Sequence, residues 1–216
     1  LVPGHKHILE LADISGEKIR METMVLDQTE PFDIDGIGKF EAAIVQDDEY
    51  VDEEPVFRVH RWVAIDKSTN SVHIFGEVRW EINDQGRAIV EDTWRAGEAE
   101  ENRVARPGLL MPGIFTIGAR FLVGGRDDKS SGGFEAVEAG IEVAVPAGTF
   151  GNCVRLREQG LLEVNKDFID RIWCPQVGLV SATSSGQLIA SNALPSTHPG
   201  SDVSSFGKYA AGTQVR

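Results

Sequence analysis

Hydrophobic and polar residues alternate with a period of two along most of this 216-residue chain, the spacing that puts successive side chains on opposite faces of a strand. Helical periodicity is scarce. Residues 17–26, EKIRMETMVL, set Ile19, Met21, Thr23 and Val25 on one face and Arg20 and Glu22 on the other. Residues 55–65 and 71–82 read as a hairpin turned by DKSTN. Arg58, His60, Trp62 and Ala64 share one of its faces, and Phe57, Val59, Val63 and Ile65 lie mostly on the other. That turn sets Val63, not His60, opposite His73. Further strands are expected over 5–12, 38–46, 87–94, 117–123, 134–145, 149–159, 167–174, 178–184 and 187–191. Short strands separated by Gly, Asn and Asp predict an all-β chain: a curved antiparallel sheet, as a half-barrel or sandwich, with little helix.

Two internal segments and the end of the chain break the alternation. In 98–113, EAEENRVARPGLLMPG, Pro107 and Pro112 lack amide hydrogens and neither suits a central strand. The segment reads as an extended crossing loop with Leu109, Leu110 and Met111 tucked over an open end of the sheet. GGRDDKSSGG at 124–133 has the composition of a flexible loop. The organisation expected is a single β domain over 1–193 followed by an extended tail over 194–216. With Phe206 and Tyr209 as its only sizeable anchors, the tail cannot form its own core. Docking on a sheet edge is expected instead, in this domain or another subunit, with 202–211 added as a strand. A protein partner or a homo-oligomer follows from that reading.

Composition narrows the partners. With 34 acidic and 21 basic residues the formal charge is −13, which argues against nucleic acid and anionic membrane surfaces, since both need basic patches. No apolar run approaches the roughly 18 residues that a membrane-spanning helix needs. The opening at Leu1 rather than Met reads as a processed or trimmed end.

Candidate chemistry begins with the histidines. His5 and His7 share a strand face, and His60 and His73 lie on the two strands of the 55–82 hairpin. His7, His60 and His73 from neighbouring strands, completed by Glu77, are the candidate zinc or copper ligands, although no H-x-x-x-H or C-x-x-C spacing accompanies them. Half-buried histidines on a polar strand face are the plainer expectation, and no cofactor is expected. The acidic runs 27–38 and 46–55 read as solvated loops. Asp33, Asp35 and Gly36 offer only a fragment of a calcium loop, and Ile44 stands where the closing glutamate belongs, so a weak Ca2+ site is the most that they suggest.

Nothing resembles a G-x-S-x-G elbow, and Cys153 lies inside a strand with no helix terminus to activate it. No catalytic residue is assigned. Trp62, Trp80, Trp94 and Trp173 fit core and rim packing. Trp62 and Trp94, with Met111, are also the candidates to line a ligand groove.

Several short motifs carry a resemblance. They are Leu1, Pro3 and Gly4 at the start; Trp62, Ala64 and Asp66 before a turn; Phe75, Gly76 and Glu77; and Trp94, Ala96 and Gly97. Pro107, Gly108, Met111 and Pro112 follow, then VPAGTF at 145–150 and VGLV at 177–180. From Leu1 to about Ala190 the chain resembles a group of exported bacterial β-proteins of unassigned role, more loosely similar to lipoprotein-carrier half-barrels. The resemblance implies an extracytoplasmic location, periplasmic or secreted. It departs from the group at His7 and His73, which stand where tryptophans are expected, at His60, where another aromatic is expected, and at Cys174.

An oxidising compartment makes a disulfide conceivable. Cys153 and Cys174 sit almost symmetrically about a turn near 163–164, which brings them close to cross-strand register. One extra residue in the turn would put the two sulfurs on opposite faces. The leading functional expectation is an exported, non-enzymatic binding or assembly module. The alternatives are a carrier of an apolar ligand in a half-barrel groove and an extracellular polymer hydrolase or lyase using acidic residues. A carrier requires a continuous apolar pocket of several hundred Å³, and an enzyme requires titratable groups converging in one cleft.

Overall fold

A computed structural model describes residues 1–12, 17–100, 103–124, 133–159, 169–182 and 186–191. Every regular element among them is a strand. In chain order these are β1 (Lys6–Ala12), β2 (Lys18–Ile34), β3 (Gly38–Val51), β4 (Glu54–Ile65), β5 (Val72–Ile82) and β6 (Ala88–Arg95). Next come β7 (Ala99–Glu100), β8 (Arg103–Val104), β9 (Gly108–Met111) and β10 (Arg120–Leu122). The series ends with β11 (Gly133–Val145), β12 (Gly148–Gln159), β13 (Ile169–Cys174), β14 (Gly178–Ala182) and β15 (Gly186–Ser191). The chain is all-β and antiparallel, as its alternation predicts. Among the described residues no helix is long and apolar enough to cross a membrane. The tail over 194–216, and with it the strand expected at 202–211, lies outside the described residues.

A 13-stranded sheet runs in the order β10-β11-β12-β13-β14-β15-β1-β2-β3-β4-β5-β6, with β9 also paired to β5, and β7 and β8 form a separate two-stranded ribbon. Strands paired in the sheet are neighbours in sequence except where β15 meets β1 and where β9 meets β5, so Lys6–Ala12 and Gly186–Ser191 lie side by side in mid-sheet. The sheet is not closed into a barrel. β9 and the residues after β10 meet through one isolated bridge, where the Gly124 amide donates to the Leu109 carbonyl at 3.3 Å.

Three expectations need correction. Residues 108–111 are not part of a crossing loop but strand β9, paired to β5 with Met111 opposite Val72. Pro107 and Pro112 bracket the strand rather than interrupting it, which costs no ladder hydrogen bond. The acidic runs are mostly strand: β2 continues to Ile34, and β3 turns into β4 through Asp52 and Glu53, both with positive φ. In the hairpin of β4 and β5, Ala64 stands opposite His73 and Val63 opposite Ile74. The reason is the turn: Asp66 bonds to Ser71, and Asn70 takes a left-handed φ of 59°.

Apolar packing is concentrated in three clusters. Leu9, Phe150, Cys153, Cys174, Val177 and Val180 form one around β12–β14. Met111, Phe115, Ala136, Val154 and Leu156 form a second beside β9 and β11. Phe32, Ile34, Ala42, Ala64, Phe75 and Ala96 form the third, with Phe40, Trp62 and Trp94 against it.

Candidate functional site

On the inward side the sheet leaves a half-open cavity of about 820 Å³ to which β1 to β6, β9 and β11 to β14 all contribute. Period-two alternation selects the lining: Met21, Thr23 and Val25 from β2, Val45 and Asp47 from β3, Arg61 and Val63 from β4. The walls are mainly aliphatic and aromatic, with Leu9, Ile74, Leu110, Met111, Phe134 and Leu179 among the lining residues.

A polar spine crosses this apolar wall. Arg61 is held between two carboxylates: its Nε donates to Glu77 at 2.7 Å and its Nη1 to Asp47. Thr23 donates its hydroxyl to the same Asp47. Burial opposes the charge on the guanidinium, but Asp47 and Glu77 together hold its pKa above the ordinary value. On the other wall Arg171 donates from Nε to Glu158 at 2.8 Å. His7 also lines the cavity, and burial, reinforced by neighbouring His5 and opposed by Asp47, lowers its pKa to about 4. Burial lowers the pKa of His5 as well. Both rings are therefore neutral near pH 7. Their centroids are 5.8 Å apart, edge to face.

The candidate ligand-binding residues divide. Trp94 and Met111 line the cavity. Trp62 does not: it shares a strand face with Ala64 and packs in the aromatic cluster, 6.0 Å from the Phe32 ring centre. The candidate metal set divides too. His7 and Glu77 line the cavity, whereas His60 turns to the other side of β4, bonding Gln46 at 2.8 Å and meeting the Trp80 ring edge-on. His73 alternates away from the cavity-lining Val72 and Ile74. Among the described residues no three His, Cys, Asp or Glu side chains are placed to share an ion. Asp33, the start of the calcium-loop fragment, pairs with Lys39 at 2.8 Å.

Cys153 and Cys174 are joined by a disulfide with Cα atoms 4.2 Å apart. The neighbouring pair Val154–Trp173 sets the register. Cys174, Pro175 and Gln176 also line the cavity, so the bridge anchors its rim. Asp47 and Arg61 are the residues that sequence reasoning missed, and Glu77, expected as a metal ligand, pairs with Arg61 instead. Their signal was present in the alternation, since Asp47, Arg61 and Glu77 each share parity with the apolar inward positions Val45, Val63 and Ile74 once the β5 irregularity near Gly76 is allowed for. No protein-family model, curated protein or solved structure matches the chain.

Proposed function

We propose that this is an exported, non-enzymatic binding protein that carries one apolar or amphiphilic small molecule inside its curved sheet. The observation that carries this reading is the cavity. At about 820 Å³ it falls within the roughly 300–1,000 Å³ of small-molecule sites, and its mainly apolar lining is of the kind that such sites use. The disulfide is compatible with the extracytoplasmic compartment that the motif resemblance implies.

Two observations favour binding over hydrolysis. The cavity carboxylates Asp47, Glu77 and Glu158 are engaged by Arg61 and Arg171. The lining cysteine, Cys174, is in the disulfide. The assembly reading depended on residues 194–216 and gains no support from the described residues, so the carrier reading takes its place.

The test is a titration with N-phenyl-1-naphthylamine, a neutral apolar dye that fluoresces when it leaves water. Saturable binding of one dye per chain is expected. Val63, 2% exposed and facing the cavity, is the position at which to fill it. Val63→Trp should abolish dye binding while costing no more than about 1–3 kcal/mol of stability, the usual range for added core volume. Unsaturable binding, or equal binding by the variant, would remove the reading.

A further inference from the structure

We infer that the molecule held in the cavity bears a positively charged head group, an amine-bearing amphiphile rather than a fatty acid or another anion. The inference rests on the cavity-binding reading and adds the sign of the ligand's charge. Carriers of fatty acids or phosphate-bearing lipids need a free cation at the wall to receive the head. Both arginines that line this cavity are already occupied: Arg171 by Glu158, and Arg61 by Asp47 and Glu77 together. One guanidinium shared by two carboxylates leaves that cluster with a net negative charge, and the Glu158–Arg171 pair is neutral. The remaining basic groups in the wall are the Leu1 amino group, His5 and His7, and burial lowers the pKa of all three.

The geometry also places this charge usefully. Asp47 and Glu77 keep 14% and 29% of their side-chain surface accessible beside 33% for Arg61, so the cluster presents carboxylate oxygen together with guanidinium at the wall. An ammonium group can share those oxygens with Arg61 while its chain lies on the aliphatic wall formed by Val25, Val45, Val63 and Ile74. A carboxylate in the same place meets two like charges against the one guanidinium that they share.

The experiment compares three twelve-carbon chains that differ only in the head: dodecylammonium, dodecanol and dodecanoate. Each competes with N-phenyl-1-naphthylamine below its micelle concentration, at pH 7.5 and about 0.15 M salt, where screening suppresses the general pull of an acidic protein on cations. Affinity should fall in that order, with the ammonium at least about tenfold tighter than the carboxylate, as one unscreened charge a few Å away implies. Glu77→Gln, which keeps the shape and removes one charge, should lower that ratio several-fold, and Asp47→Asn should do the same if the first variant fails to fold. A ratio below about ten, or one untouched by both variants, overturns the inference and leaves the cavity reading standing. If none of the three displaces the dye although the dye itself binds, the inference fails. If the dye does not bind either, the cavity reading fails with it.

Discussion

Strand β4 has a filled side and a hollow side. Trp62 and Ala64 face a cluster with no spare room: a Cβ built at Gly76 would lie 2.6 Å from both the Trp62 ring and the Trp94 carbonyl oxygen. The cluster is capped by Arg95, whose guanidinium sits 4.1 Å above the Phe32 ring centre and donates to the Pro31 carbonyl at 2.8 Å. Arg61 and Val63, one residue away in each case, face the half-open cavity of about 820 Å³. Where a wall borders the cavity it lacks packing partners, so the rim and the ladders carry more of the load on this side. The Cys153–Cys174 bridge, the ion pairs of the polar spine and the β1–β15 pairing all lie around the void rather than across it.

The largest effect should come from forcing atoms into the filled side. Gly76→Ala should cost about 3 kcal/mol or more in urea unfolding, since one colliding atom belongs to the backbone and cannot turn away. A loss under about 1 kcal/mol would mean that this side is looser than its contacts indicate.

Next is the rim. Replacing Cys153 and Cys174 together by alanine opens a bridge spanning 21 residues and should cost about 3 kcal/mol, the usual worth of such a loop. Dye affinity should fall as well, because the bridge anchors residues 174–179 of the wall. A rim that is merely decorative would lose stability without losing affinity.

A somewhat smaller effect is expected from pH. His7 titrates in the folded protein at about 4, whereas an unfolded histidine does so near 6.5. Between those values the unfolded chain binds the proton that the folded ring refuses, so stability is full above about pH 6.5 and falls as pH drops toward 4. The loss is at most roughly 3 kcal/mol. His7→Phe should reduce the slope of stability against pH in that window by about one proton, measured by urea unfolding at several pH values. An unchanged slope would show that His7 is not held neutral by its surroundings.

The strands were legible because period-two alternation survives whether or not a side is filled. The parity of β2 was read correctly, with Met21, Thr23 and Val25 together. Which parity faces inward was not legible at β4, because Trp62 is as apolar as Val63. Trp62 was therefore expected in a groove that Trp94 lines without it. β9 was missed because prolines at both its ends mimic a loop. The hairpin register was read one residue short because DKSTN does not reveal that Asn70 turns left-handed. The hollow itself leaves no mark in the sequence, since a valine lining a void and a valine packed in a core look the same. What the alternation does carry is the set of charged residues at inward positions, Asp47, Arg61 and Glu77.

The hollow side can be tested against the rest of the molecule with the three methionines. Met21 and Met111 line the cavity, and Met24, on the same strand as Met21, has the opposite parity and does not. With the methionine methyl groups labelled with carbon-13, a saturating amount of N-phenyl-1-naphthylamine should shift the Met21 and Met111 resonances by its ring current and leave Met24 in place. If Met24 moves while Met21 and Met111 stay, or if no methyl moves at saturation, the molecule is not bound in the interior and the account of a hollow binding protein is wrong.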